Sequence, residues 1–187
     1  LHMTPDTHPH TKPPLLRRLV AYFQLSENAI LVGLAVAVGM ATGAGIWLFR
    51  LGIEFFHGLF RVEALDPLLG RFTIVVTLGL AGLIVGWLME RFIGEERHHG
   101  VAGIMEAVAL AGGRMRYARF PFKAVASAIS LGAGASVGPE DPSVQIGANI
   151  GSMFGQKLRL SEDRVRLLVA AGAASAIAAA FQAPIAG

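Results

Sequence analysis

Two apolar runs limit what this chain can fold into. Ala29 to Phe49 and Phe72 to Phe92 are apolar almost throughout, and each has about the 20 residues a helix needs to cross a bilayer. In lipid the backbone must satisfy its own hydrogen bonds, and a single run can do so only as a helix. The expectation is an all-α, polytopic membrane protein with tilted, broken and re-entrant helices. Composition agrees: 53% of residues are hydrophobic and 16% charged, whereas soluble domains carry about 25% charged residues. Glycine is abundant at 23 residues. Gly33, Gly39, Gly43 and Gly45 give the first run a small-residue face, and Gly79, Gly82 and Gly86 give one to the second. Such faces let helix backbones approach closely.

Several function classes drop out. The chain has no cysteine, so disulfide, zinc-thiolate and thiol chemistry are absent. Its net charge is +3 and its basic residues are scattered, which does not make a nucleic-acid surface. The basic excess suits cytoplasmic loops. No Ser/His/Asp arrangement, phosphate loop or metal-spaced cluster points to an enzyme. His8 and His10 fit a polar tail, and Glu95, Glu96, His98 and His99 fit a solvated loop. Neither set requires a metal. His57 reads as a hydrogen-bonded interfacial residue.

In order, residues 1–14 form a polar, disordered tail whose Leu1-His2-Met3 reads as a cloning scar. No signal peptide is evident. Leu15 to Gln24 reads as a short interfacial amphipathic helix, with Ser26 as N-cap of the first span. That span continues as a polar stretch from Arg50 to Glu63, and Asp66-Pro67 breaks the chain. Trp87 and Arg91 mark an interfacial end of the second span. A charged loop, Gly94 to Gly100, precedes a helix from Val101 to about Ala111 that is too short to span. A polar turn from Gly112 to Arg119 leads to an apolar helix from Phe120 to about Val137, with Lys123 in its first turn. Ser161 reads as the N-cap of a small-residue helix that breaks near Gln182-Ala183-Pro184. An apolar stretch stopping just past a break suggests a fragment.

Between these helices lies Gly138-Pro139-Glu140-Asp141-Pro142-Ser143-Val144-Gln145-Ile146-Gly147. It sets two adjacent acids in a chain made for lipid, where a carboxylate costs several kcal/mol and reads first as functional. Asp141 reads as an N-cap and Pro142 as the first residue of a helix to about Leu158. A helix N-terminus is an anion site, so Glu140 reads as a tethered competitor for an anion.

On these residues the chain resembles the CLC family of chloride channels and proton/chloride exchangers. The likeness is carried by Val101-Ala102-Gly103-Ile104-Met105-Glu106, by Gly138 to Gly147, by Phe120-Pro121-Phe122-Lys123, and by the ending Ala178-Ala179-Ala180-Phe181-Gln182-Ala183-Pro184-Ile185-Ala186-Gly187. It covers nearly everything after the tail and is strongest from Gly100 on. The resemblance implies that residues 15–187 are the N-terminal half of a CLC-type transmembrane domain, half of an inverted-repeat fold. It implies transport of an inorganic anion, chloride first, by a proton-coupled exchanger or a gated channel. It makes Glu140 the gating and proton-accepting glutamate, and it sets Ala102, Gly103, Ile104, Ser143, Val144 and Gln145 along the anion path. It implies a multi-pass protein of a bacterial inner or cell membrane, a homodimer when complete, whose partners are the bilayer, the anion, protons and the missing C-terminal half. No cofactor and no metal are expected. A non-transporting or regulatory membrane-embedded relative is the alternative.

Two departures stand out. Ala102 replaces the serine whose hydroxyl helps hold the family's central anion. Pro139 and Asp141 replace the arginine and glycine beside the gate. Asp141 adds negative charge that opposes anions unless it caps a helix or points to water.

Overall fold

The computed structural model describes residues 15–60, 70, 72–94 and 100–183, with side chains from residue 29 onward. The tail, the side chains of the proposed amphipathic segment, Asp66-Pro67, the residue 95–99 acids and histidines, and residues 184–187 lie outside the described residues; Ser26, expected as an N-cap, lies within a continuous helix and starts none. Most of the described residues are helical, and none forms a strand. The helices are α1 Leu15–Phe60, α2 Phe72–Leu88, α3 Gly100–Leu110, α4 Phe120–Gly132, α5 Glu140–Lys157 and α6 Glu162–Phe181. The chain divides into Leu1–Gly33 and Leu34–Gly187. The first unit contributes the opening of α1, and the second holds the packed helices and the candidate site.

Among the described residues, three segments are long and apolar enough to cross a membrane: Ala29–Phe60, Phe72–Ile93 and Glu162–Phe181. The first two are the expected spans. The third is the small-residue helix, whose alanines dilute its hydrophobicity without interrupting it. Large apolar side chains such as Met40, Trp47, Phe55, Val75 and Leu83 are exposed, as lipid-facing residues are.

Two boundaries differ from the sequence reading. The backbone is helical without a break from Leu15 to Phe60, so no separate helix ends at Gln24. Residues 25–28, between the two expected helices, include no proline or glycine to stop it. The helix expected to reach Val137 ends at Gly132. There Ala133 N–H bonds to Ile129 O, Gly134 takes a φ of +96°, and Ala135 N–H reaches Ser130 O, a glycine-based helix stop.

Helix α5 is central. Ile146 packs with Ile46, Phe49, Ala128 and Ala176, joining α1, α4, α5 and α6. Ala148 packs with Ile104, Val165 and Val169, joining α3, α5 and α6. Glycines permit the α5–α6 contact. A Cβ on Gly147 would meet Gly172 O, and one on Gly151 would meet Leu168 O. In α1, Gly39 and Gly45 meet Ser175, Ile146 and Ile150, as a small-residue face should, whereas Gly43 meets nothing within 4 Å. Gly79, Gly82 and Gly86 also meet no described residue within 4 Å. The buried face of α2 is instead Thr73, Thr77 and Ala81, three residues spaced four apart.

Polar bonds fix the ends of the elements. Helix α2 runs into a π-helical turn, Met89–Ile93, and Arg119 donates to Ile93 O at 2.7 Å. Phe92 stacks on Phe122 at 4.6 Å. The buried Ser152 hydroxyl donates to Gly113 O at 2.7 Å and accepts from Met115 N–H at 2.9 Å, which pins the polar turn onto α5. His57 Nδ1 lies 3.2 Å from Gly132 O, so this histidine is hydrogen-bonded as expected. Ser161 holds the N-cap position of α6, but its side chain makes no capping bond. The helix ends at Phe181 with Gln182 left-handed at φ 54°, at the expected break.

Candidate anion site at two helix N-termini

Helix α5 starts two residues earlier than its sequence suggests. Pro139 is the N-cap, with φ −77° and ψ 0°, and makes no side-chain cap. Ser143 N–H closes the first turn on Pro139 O at 3.0 Å, and its hydroxyl reaches the same oxygen at 2.7 Å. Asp141 is therefore not the N-cap, and Pro142 is not the first helical residue. A proline is tolerated in the first turn because no N–H is required there. A helix leaves its first four N–H groups without intrahelical partners. Here Pro139 and Pro142 have none to offer, so Glu140 and Asp141 carry the donors of this end. Ser143 has already used its own.

Both acids lie in the first turn, where the positive end of the helix dipole favours them. Their side chains part company. Glu140 is exposed, and among the described residues no hydrogen bond or ion pair holds it. Its carboxylate folds back over Gly138, where a Cβ would collide with Oε2 and Cδ. Only glycine leaves room for that pose.

Asp141 turns to a different helix. Its Oδ1 accepts from Val101 N–H at 3.0 Å, in the first turn of α3. Its Oδ2 accepts from the Gln145 amide at 2.8 Å. The added charge noted in the sequence is thus a cap, on α3 and not on its own helix. Gly100 makes the approach possible. It has a φ of +75°, and a Cβ there would sit 2.9 Å from Asp141 Oδ1.

The remaining candidates divide between the two helices. Ala102 is exposed and Gly103 half-buried at the start of α3, while Ile104 is buried and anchors α3 against Ala148, Val165 and Val169. On α5, Ser143 is buried, and Val144 and Gln145 are half-buried. The structure brings α3 and α5 together through Asp141 and Ile104.

Two cavities meet at this junction. One of about 330 Å³ is lined by residues of α2, α4 and α5 and of the segment before α5, including Lys123, Ser127, Gly138 and Asp141. The other, about 410 Å³, follows α3 and includes Glu106, Arg114, Arg116 and Asn149. Gly100, Lys123 and Gln145 line both. The Asp141 tie was invisible in the sequence, because its partner is a backbone N–H 40 positions away and a backbone donor leaves no residue signature. Arg50 was missed similarly: its Nη2 donates to Ala180 O at 2.8 Å and to Ala179 O at 3.4 Å. Among the described residues no group of three or more His, Cys, Asp or Glu side chains could hold a metal.

Known proteins share these elements. Residues 81–187, more than half of the chain, match the family described as voltage gated chloride channel. A ClcB-like protein of Ralstonia nicotianae is 37% identical over 61% of this chain and 27% of its own length. The H(+)/Cl(−) exchange transporter ClcA of Citrobacter koseri is 33% identical over 92% of this chain and 37% of its own. The chloride channel protein CLC-f of Arabidopsis thaliana is 29% identical over 80% of this chain and 20% of its own. The chain therefore spans between a fifth and two-fifths of the length of these relatives. With its matched segment, its apolar helices and these relatives, this integral membrane chain belongs to the voltage gated chloride channel (CLC) family.

Proposed function

We propose that this chain is the N-terminal half of a protein that moves inorganic anions, chloride first among them, across a bacterial cell membrane, with Glu140 as its gate. The observation that carries the reading is the Glu140 carboxylate, exposed, unheld and folded over Gly138 at a helix start that offers two N–H donors. A negative side chain that can leave a helix N-terminus vacates a place where an anion can bind. Protonation weakens its hold on that place, so the same group carries a proton in an exchanger and opens a pore in a channel. Among the relatives one is called an H(+)/Cl(−) exchange transporter and another a chloride channel protein, which supports anion transport and leaves both mechanisms in play. No chemical conversion is part of this reading, and no cofactor takes part.

The anion route would run past the α3 backbone at Ala102, Gly103 and Ile104 and along the α5 wall at Ser143, Val144 and Gln145, with the α5 donors at Glu140 and Asp141. Broken helices aimed at a mid-membrane ion are a known transporter design. Residues 1–14 are a tail outside the transmembrane domain. A second half completes the site, and two copies form the homodimer.

The test is flux through the complete protein in proteoliposomes. Chloride or nitrate efflux is expected, altered in pH dependence by Glu140→Ala. A chloride gradient that drives protons uphill identifies exchange, and chloride flux without proton movement identifies a channel. No flux of any anion at any pH sinks the transport reading. Flux indifferent to Glu140→Ala removes the gate assignment.

A further inference from the structure

We infer that Asp141 determines anion specificity, as a fixed, charged occupant of the α3 N-terminus beside the movable Glu140. The inference rests on the anion-transport reading and deepens it. Asp141 is held at both oxygens, by Val101 N–H at 3.0 Å and by the Gln145 amide at 2.8 Å. Glu140 next to it is held by neither a hydrogen bond nor an ion pair among the described residues. The backbone is shaped for this: Gly100 at φ +75° is bare where a Cβ would sit 2.9 Å from Oδ1. The position is also on the way through. Gly100 and Gln145 line both cavities at their junction, and Asp141 lines the first of them beside Lys123.

The physical consequence is a weakened field. The N-terminus of α3 would attract an anion through its N–H groups and dipole. Asp141 has already answered both. An anion at the junction meets a compensated helix end and a like charge. Such a site offsets less of the cost of stripping water from the ion. It therefore favours anions that are weakly hydrated, nitrate or thiocyanate, over chloride.

Asp141→Asn separates charge from structure. Asn keeps an oxygen for Val101 N–H and is as good a cap as Asp, and the Gln145 amide can turn its oxygen to the new NH₂. The readouts on the complete protein are nitrate and chloride binding by titration calorimetry and their fluxes in proteoliposomes. The parent is expected to bind nitrate more tightly than chloride. Asp141→Asn should tighten chloride on the order of tenfold and bring the nitrate-to-chloride ratio towards one, while Asp141→Glu keeps the parent's preference. A parent that binds chloride more tightly than nitrate overturns the inference, and that measurement needs no variant. A folded Asp141→Asn with the parent's chloride affinity and ratio overturns it too, and leaves Glu140 as gate. A parent that passes no anion overturns the transport reading itself.

Discussion

Arg50 on α1 donates to the carbonyl of Ala180 at 2.8 Å, 130 positions along the chain. The guanidinium sits at the last turn of α6, where carbonyls lack intrahelical partners and the dipole is negative. Arg50→Ala should lower the stability of the detergent-solubilised protein by about 1.5–3 kcal/mol, read as a drop in Tm. Arg50→Lys should recover part of that, since it keeps the charge and loses the fork.

The α5–α6 contact leaves no room for a methyl group. Gly151 faces Leu168 O and Val169 Cα, and backbone cannot step aside as a side chain can. Gly151→Ala should cost more than about 3 kcal/mol and abolish the monodisperse peak on size exclusion. Gly52→Ala is the control. A Cβ there would lie 3.7 Å from that of Ala128, an ordinary contact, and the variant should purify like the parent.

Ser152 holds the turn after α3 by bonds to Gly113 and Met115, and accepts from the Gln156 amide on its own helix. Ser152→Ala leaves a buried carbonyl and an N–H without partners and should cost about 1–3 kcal/mol. The turn carries Arg114 and Arg116, so limited trypsin digestion should cut there faster in the variant.

Much of this was legible in the sequence because lipid imposes simple rules. The runs 29–49 and 72–92 had to be helices, and the segment after Gly100 was too short to span. The acids at 140 and 141 stood out because the rest of their surroundings is apolar. What stayed hidden depends on backbone. The start of α5 was misread by two residues, since Asp-Pro is a familiar helix opening and the turn closed on Pro139 instead. The role of Asp141 hinged on where the first turn of α3 lies in space. Gly79, Gly82 and Gly86 of α2 read as a contact face as readily as the glycines of α1, yet only some of the α1 glycines have a described neighbour and none of these three does. Spacing records that a face is small and says nothing of what meets it.

Gly138 leaves room for the Glu140 carboxylate. Gly138→Ala puts a methyl group in that space and should push the carboxylate away from the helix start. Anion flux of the complete protein at neutral pH should then rise about tenfold, the equivalent of about 1.4 kcal/mol. Adding Glu140→Ala to Gly138→Ala should produce little further rise, because the group being displaced is gone.

The two prolines that frame the start of α5 also simplify its spectroscopy. A proline contributes no amide signal, so residues 139–142 yield only the Glu140 and Asp141 cross-peaks in a ¹⁵N-labelled sample. Titrating chloride or nitrate and following those resonances reports occupancy of the helix end directly, one acid at a time. It also distinguishes an ion that displaces the loose carboxylate from one that unseats the tethered one.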